Sequence, residues 1–266
     1  MQGRLVDCIN GKVQAFPEFE WRREFVIANE INFSLMEWTL DQHNLSTNPF
    51  VTIEGRSEIK ELCNKYSIKI ESVTGDLFMQ NPFWKIPGER EILLESLDLV
   101  LDSAAALKLK YIIVPLVDNG RLDNNSQKEV LINEFKKRHA WLLKNNIKII
   151  FESDLDPEAF SSFINLLPAD SFGVNYDIGN SASLGFDPLV EFNAYGKRIY
   201  NVHVKDRLYR GGTVPLGTGA ADFKKVAKAL HAIGYKYNLI LQTARAYNGL
   251  HAESLISYRK FFQEYI

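Results

Sequence analysis

The feature that most constrains the fold is a repeated alternation between short apolar runs and stretches with helical spacing. The apolar runs cover residues 33–38, 68–75, 111–116, 147–153, 172–179, 199–205 and 239–243. Nearly continuous apolar strands are typical of a parallel sheet that is buried on both faces. Strands that alternate with helices indicate consecutive βαβ units. The pattern therefore predicts seven strand–helix units.

An eighth unit is predicted at the amino terminus, with "MQGRL" as an unusually short first strand and a helix around residues 18–31. Eight units in 266 residues match the size of a (β/α)8 TIM barrel. An open, doubly wound sheet is the alternative, but no glycine-rich phosphate-binding motif follows any of the strands. No linker divides the chain, so a single domain is predicted over residues 1–266.

Composition limits the classes of partner. A net charge of -2 gives no general attraction for nucleic acid or for an anionic membrane surface. Cys8 and Cys63 are the two cysteines, and they lack the spacing of a metal motif. No run of 18 apolar residues and no apolar leader segment occur, which predicts a cytoplasmic protein with no membrane span.

Polar residues stand where the predicted strands end, which is the end of a TIM barrel that carries the active site. They are Glu37, Asp76, Asp118, Glu152, Asp177, His203, Lys205 and Gln242. A single histidine or glutamate on a strand is more often structural than a ligand. Four of these residues, however, lie at equivalent positions of four successive strands: Glu152, Asp177, His203 and Gln242. Their oxygen and nitrogen atoms would suit Mn²⁺, Mg²⁺, Co²⁺ or Zn²⁺.

An ordered series of short motifs adds to this pattern. The motifs are "GRL" at the start, "MEW" (36–38), "IIFES" (149–153), "NYDIGN" (175–180), "VHVKD" (202–206), "PLGTGAADF" (215–223) and "LILQTAR" (239–245). Through them nearly the whole chain resembles the sugar phosphate isomerase/epimerase family with the xylose-isomerase-like barrel. This family includes ketose 3-epimerases and relatives of endonuclease IV. The resemblance implies that Glu152, Asp177 and His203 bind a divalent metal.

The chain departs from the ketose 3-epimerase pattern at the fourth ligand, where Gln242 replaces a glutamate. An amide oxygen can still bind a metal, but it cannot act as a general base. The ligand charge falls from -3 to -2, so we expect weaker metal binding and a stronger Lewis acid. The replacement leaves a mechanism with two glutamate bases in doubt.

The leading hypothesis is a divalent-metal-dependent isomerase or epimerase of a sugar, sugar phosphate or sugar acid. It would abstract a proton beside a carbonyl, with the metal stabilising the enediolate. Glu152 would be the base, and Lys205 would act as electrophile or proton donor unless it simply pairs with Asp206 or Glu152. The alternatives are a non-catalytic sugar-binding protein and a metal-dependent dehydratase or lyase. Five histidines are too few to favour the trinuclear zinc site of endonuclease IV.

Further polar and aromatic residues are predicted to contact the substrate. They are Glu37, Trp38, Asp76, Asn180, Asp206, Arg207 and Arg245. Arg207, Arg210 and Arg245 follow the last two predicted strands, where many barrels bind phosphate, so an anionic sugar is a candidate substrate. The alternative is that these arginines are ordinary solvated loop residues. A homodimer through the carboxyl-terminal helix is a further hypothesis.

Overall fold

The computed structural model describes residues 1–7 and 15–266. One sheet contains seven parallel strands: β1 (Leu35–Leu40), β2 (Lys69–Gly75), β3 (Tyr111–Leu116), β4 (Lys148–Ser153), β5 (Phe172–Asp177), β6 (Ile199–Val204) and β9 (Asn238–Leu241). The two-residue strands β7 (Asp206–Arg207) and β8 (Thr213–Val214) form an antiparallel hairpin. In the sheet, each strand pairs with the next one along the chain, as expected for consecutive βαβ units.

Helices follow the strands and cover the outside of the sheet. They are α1 (Trp21–Glu30), α2 (Ile53–Tyr66), α3 (Asp76–Gln80), α4 (Arg90–Leu107), α5 (Asn125–Lys137), α6 (His139–Asn145), α7 (Pro157–Ile164), α8 (Ile178–Leu184), α9 (Pro188–Tyr195), α10 (Phe223–Ala232) and α11 (His251–Gln263). Short 3-10 turns cover Leu45–Thr47, Pro87–Glu89, Asp118–Gly120 and Gly196–Arg198. None of the helices in residues 1–7 and 15–266 combines the length and apolarity needed to span a bilayer.

The predicted first strand is wrong. Residues 1–5 form no strand, although the first two residues bridge the gap between β1 and β9. The Glu37 N–H donates to Met1 O at 2.8 Å, and the Gln2 N–H donates to Leu241 O at 3.0 Å. Gly3 and Arg4 then adopt left-handed conformations, with φ of 52° and 70°. An extended strand requires a negative φ, so the chain turns away after two residues and the barrel is nearly closed.

The buried carboxylate of Glu24 holds this turn. The backbone N–H groups of Arg4, Leu5 and Val6 donate to it, and the Leu5 bond measures 3.0 Å. A Cβ at Gly3 would lie 2.8 Å from Glu24 Oε2, in addition to the strain of its positive φ. The turn therefore requires glycine, and it directs the Arg4 side chain toward the carboxyl ends of the strands.

The sequence of residues 127–146 reads as one helical stretch, but the structure divides this segment into two helices, α5 and α6. The Arg138 N–H donates to Phe135 O at 3.0 Å, while the Arg138 guanidinium donates to Glu134 O at 2.9 Å. The side chain thus takes the carbonyl that a continuing α-helix would offer to the Arg138 N–H. The helix ends at this residue and restarts at His139.

Candidate metal and sugar site

Three side chains from neighbouring strands meet at the carboxyl end of the barrel. Glu152 lies near the end of β4, Asp177 ends β5, and His203 is the register partner of Asp177 on β6. One ligand atom from each of the three lies within 4.8 Å of the others, and all three residues are buried. The parallel register therefore brings together three of the four residues that the sequence pattern selected.

His203 is fully buried between two carboxylates. Its Nε2 lies 2.7 Å from Glu37 Oε1, and its Nδ1 lies 3.1 Å from Glu152 Oε2. Burial alone would lower the pKa of the imidazole, but the charges and hydrogen bonds of Glu37 and Glu152 raise it to about 10. Without a cation in the site, the imidazole is therefore positively charged at neutral pH.

Glu37 was predicted to contact substrate, but it is buried in the barrel beside Nε2 of His203 and does not line the cavity described below. Its side chain has no exposed surface. Ser72 Oγ and Thr74 Oγ1 donate to it at 2.7 Å each, and Asn201 Nδ2 donates at 3.1 Å. Burial opposes ionisation, yet His203 and the two hydroxyls lower the pKa of Glu37. Glu37 is therefore an ionised carboxylate inside the barrel.

Two asparagines hold the Glu152 carboxylate. Asn180 Nδ2 donates to Oε1 at 2.6 Å, and Asn175 Nδ2 donates to Oε2 at 2.7 Å. Burial opposes ionisation, but His203, Lys205 and Asn175 lower the pKa of Glu152. Sequence reasoning missed Asn175 and Asn201, although both alternate with apolar residues on their strands, as inward-facing polar residues do.

Asp177 has two roles. Its Oδ1 accepts the backbone N–H of Asn180 at 2.8 Å and so caps α8, while Oδ2 accepts from Lys205 Nζ at 3.2 Å. Burial and the nearby charge of Glu152 raise the pKa of Asp177. Lys205 also donates to Gln242 Oε1 at 2.9 Å. It pairs with these two residues rather than with Asp206 or Glu152.

The donor set can be tested against the chemistry of a divalent cation. Two carboxylates and one imidazole within 4.8 Å of one another fit Mn²⁺, Co²⁺ or Zn²⁺. The Lys205 ammonium, however, contacts Asp177 Oδ2 and Gln242 Oε1, and such an ion would need the same oxygens. Glu152, Asp177 and His203 therefore fit a cation once the imidazole has released one proton. Gln242 Oε1 accepts from Lys205 Nζ, so the ammonium would compete with an ion for this oxygen.

A cavity of about 470 Å³ opens above this cluster. Among the described residues, its charged lining residues are Arg4, Asp76, Asp118, Glu152, Asp154, Lys205 and Arg207. The predicted contact residues Asp76, Asn180 and Arg207 thus line the cavity, and Arg207 Nη1 donates to Asn180 Oδ1 at 2.8 Å. The acidic side chains follow β2, β3 and β4, whereas the basic ones follow β6 or come from the amino terminus.

Arg4 is a cavity residue that sequence reasoning missed. Its guanidinium is buried and donates to Thr243 O. Burial and the like charge of Arg245 lower the pKa of Arg4 to about 10, while Asp76 and Asp177 oppose the shift. The signal available in the sequence was the motif "GRL", but nothing local predicts the left-handed turn that directs Arg4 inward.

Three other predicted contact residues lie elsewhere. Asp206 is fully buried, and its Oδ2 accepts the N–H groups of Gly217 and Gly219 at 2.9 Å each. Trp38 packs in the core against Phe16, Trp21 and Phe50. Arg245 donates to Val6 O at 2.6 Å and lines a separate, smaller recess. Arg210 is exposed and stacks on Tyr209.

The fold and the site together define a TIM-barrel protein with a cluster of candidate metal ligands at the carboxyl ends of its strands. A family model described as a xylose isomerase-like TIM barrel matches residues 25–260, and the chain belongs to this family. No curated protein matches the sequence.

Solved structures of similar fold include several sugar epimerases. D-allulose 3-epimerase from Methylomonas sp. in complex with D-allulose is 13% identical, with a TM-score of 0.75 over 100% of this chain and 96% of that one. The 3-keto-D-glucoside 4-epimerase YcjR from E. coli is 16% identical, with a TM-score of 0.69 over 93% and 97%. The IOLI protein with a bound zinc atom is 18% identical, with a TM-score of 0.73 over 95% of each chain.

Proposed function

We propose that the protein is a divalent-metal-dependent isomerase or epimerase of a sugar or an anionic sugar derivative. The observation that carries the proposal is the buried cluster of Glu152, Asp177 and His203 beneath a polar cavity. The similarity in fold to sugar epimerases, including one solved with D-allulose, supports the substrate class. The reaction proposed is proton abstraction from the carbon beside a carbonyl.

Glu152 is the proposed base. It lines the cavity, and a carboxylate in that position can accept a proton from a bound substrate. Asn175 and Asn180 each hold one of its oxygens, which limits the rotation of the carboxylate. A base held in one orientation reduces the entropic cost of reaching the reacting proton.

Lys205 is the proposed proton donor. It lines the cavity, and it is anchored by Asp177 and by Gln242, whose neutral amide can accept no proton. A divalent ion bound by Glu152, Asp177 and His203 would polarise the substrate carbonyl and stabilise the negative charge that follows proton removal. With one carboxylate base and one ammonium donor, both isomerisation and epimerisation are chemically accessible.

An anionic group on the substrate would lie on the basic side of the cavity. Arg4, Lys205 and Arg207 all line it, and a guanidinium can bind a carboxylate or phosphate through two parallel hydrogen bonds. The acidic residues Asp76, Asp118 and Asp154 are suited to accept hydrogen bonds from sugar hydroxyls. This division of charge supports a substrate with hydroxyls at one end and an anion at the other.

Exchange of substrate hydrogen with solvent tests the proposal. The protein, loaded with Mn²⁺, Co²⁺ or Zn²⁺, is incubated in D₂O with neutral and anionic keto-sugars, and deuterium uptake is measured by mass spectrometry. Exchange is expected for at least one sugar, and Glu152→Gln is expected to slow it by roughly 100-fold or more. Glu71→Gln is the matched control, because Glu71 pairs with Lys110 away from the cavity. No exchange with any sugar, or unchanged exchange in Glu152→Gln, contradicts the proposal.

One observation favours a second candidate, a non-catalytic sugar-binding protein. The Lys205 ammonium already bridges Asp177 and Gln242, as a resident counter-ion would. This candidate predicts that sugars bind without deuterium exchange, whether or not metal is supplied. Calorimetric sugar binding combined with the exchange experiment separates the two functions.

A further inference from the structure

The two imidazole nitrogens of His203 face different carboxylates. Glu37 Oε1 lies 2.7 Å from Nε2, whereas Glu152 Oε2 and Asp177 Oδ2 lie 3.1 and 3.8 Å from Nδ1. We propose that Glu37 is a positioning residue that fixes the His203 ring so that Nδ1 is the nitrogen presented to a divalent cation. This inference rests on the metal site of the proposed function.

The chemistry of the pair determines which nitrogen faces the cation. Glu37 Oε1 already accepts from Thr74 Oγ1 and Gln2 Nε2, so the contact at 2.7 Å is a hydrogen bond donated by the N–H of the imidazole Nε2. A neutral imidazole with a hydrogen on Nε2 has its lone pair on Nδ1. That lone pair lies on the side of Glu152 and Asp177. Histidine ligands commonly donate their second N–H to a carboxylate, which sets the orientation and raises the basicity of the ring.

Glu37 is itself held from several directions. Ser72 and Thr74 on β2 donate to it at 2.7 Å, and Gln2 Nε2 donates at 3.2 Å. Together with Asn201 on β6, these donors come from three separate segments of the chain. A carboxylate with this many donors and no exposed surface cannot rotate away from the imidazole without leaving buried groups unsatisfied.

The strand register shows how the backbone delivers this arrangement. Between β1 and β2 the register shifts at Glu37: Met36 pairs with Ile70, but Glu37 pairs with Ser72. A comparable shift between β5 and β6 pairs Asn175 with Asn201. Irregularities of this kind redirect side chains. Both shifts occur at residues that are hydrogen-bonded to their register partners, Ser72 to Glu37 and Asn201 to Asn175.

The first experiment measures the affinity of Zn²⁺ for the metal-free protein by competition calorimetry with a chelator. Glu37→Ala is expected to weaken binding by about 10- to 100-fold, the usual effect of removing a partner of a metal-binding histidine. Glu37→Gln keeps an oxygen acceptor and is expected to fall between the wild type and Glu37→Ala. Glu191→Gln is the control, because Glu191 is equally buried but accepts from the hydroxyls of Tyr176, Ser181 and Tyr195.

The second experiment needs no metal. A buried imidazole N–H that donates to a carboxylate gives a strongly downfield proton resonance that exchanges slowly with solvent. This resonance is expected in the wild type and in Glu191→Gln, and it should be lost in His203→Ala and in Glu37→Ala. It reports the Glu37–His203 bond even when a variant is less stable, provided that the variant is folded.

The outcomes separate the inference from the proposed function. Equal Zn²⁺ affinity in the wild type and in Glu37→Ala, or an equal loss in Glu191→Gln, overturns the role of Glu37 alone. A wild type that binds no divalent metal removes the proposed metal chemistry and, with it, this role for Glu37. In that case the downfield resonance still establishes whether Glu37 holds the ring.

Discussion

Lys205 Nζ lies 2.9 Å from Gln242 Oε1 and 3.2 Å from Asp177 Oδ2, so one ammonium bridges two of the four residues selected as metal ligands. The register explains this contact. Val204 pairs with Leu241, which places the next residues of the two chain segments, Lys205 and Gln242, side by side. A divalent cation bound at this cluster would therefore compete with the ammonium for the same oxygens, and substitutions should shift the balance between them.

Gln242→Glu is expected to increase the affinity for divalent metal by about 10-fold or more, because it adds a negative ligand to the site. Competition calorimetry with Zn²⁺ measures the change. Gln80→Glu is the control, since it adds the same charge at the wall of the same cavity but outside the ligand cluster. Equal gains in both variants would show a general charge effect instead of ligation.

Lys205→Met is expected to change metal binding and exchange in opposite directions. The substitution removes a positive charge that contacts Asp177 Oδ2 and Gln242 Oε1, so Zn²⁺ affinity should rise. Loss of the proton donor should slow deuterium exchange by roughly 100-fold. The same calorimetric and mass-spectrometric measurements check both effects. A fall in both quantities would mean that Lys205 supports the site structurally rather than competing with the ion.

Asn180→Asp is expected to slow exchange more than Asn180→Ala does. Asn180 donates to Glu152 Oε1 at 2.6 Å, and a carboxylate in its place would repel the base instead of holding it. We expect about a 10-fold loss for alanine, comparable with the loss of one hydrogen bond to a charged group. Steady-state exchange rates of the two variants, compared at saturating metal, test this order.

Asp206→Ala is expected to lower the free energy of unfolding by about 3 kcal/mol, because it leaves buried donors unsatisfied. The N–H groups of Gly217, Gly219 and Ala221 all donate to this carboxylate. Urea denaturation measures the effect. Asp222→Ala is the control: it removes an exposed helix cap that accepts one N–H, and it should cost about 1 kcal/mol. Similar losses in both would contradict the role assigned to Asp206.

Glu191 predicts a pH dependence of stability. Burial raises the pKa of this carboxyl in the folded protein, although the hydroxyls of Ser181, Tyr195 and Tyr176 oppose the shift. A carboxyl with a raised folded pKa stabilises the fold fully below its unfolded pKa, about 4.3, and this contribution is lost as the pH rises through the folded value. The stability of the wild type relative to Glu191→Gln should therefore be greater at pH 4 than at pH 7. Urea denaturation of both proteins at the two pH values tests this, and an opposite trend would contradict the raised pKa.

The barrel could be predicted because its signals are local: apolar runs alternate with helical stretches, and each segment of the chain shows its own spacing of apolar residues. It also selected Glu152, Asp177 and His203, since residues at the carboxyl ends of parallel strands must lie close together. It could not show that Glu37 lies behind His203, because that contact joins residues 166 positions apart. The turn at Gly3 and Arg4 was missed for the same reason, since the carboxylate that holds it belongs to Glu24 on a helix.

The barrel is closed between β1 and β9 in a different way from its other strand pairs. Neighbouring strands of the sheet pair through three to six residues each, whereas the first two residues cross the gap with three main-chain hydrogen bonds. The closure of the barrel therefore depends on the first two residues rather than on an eighth strand. Gln2 spans the gap with its backbone and donates to Glu37 with its side chain, so one residue connects the closure of the barrel with the carboxylate that contacts His203.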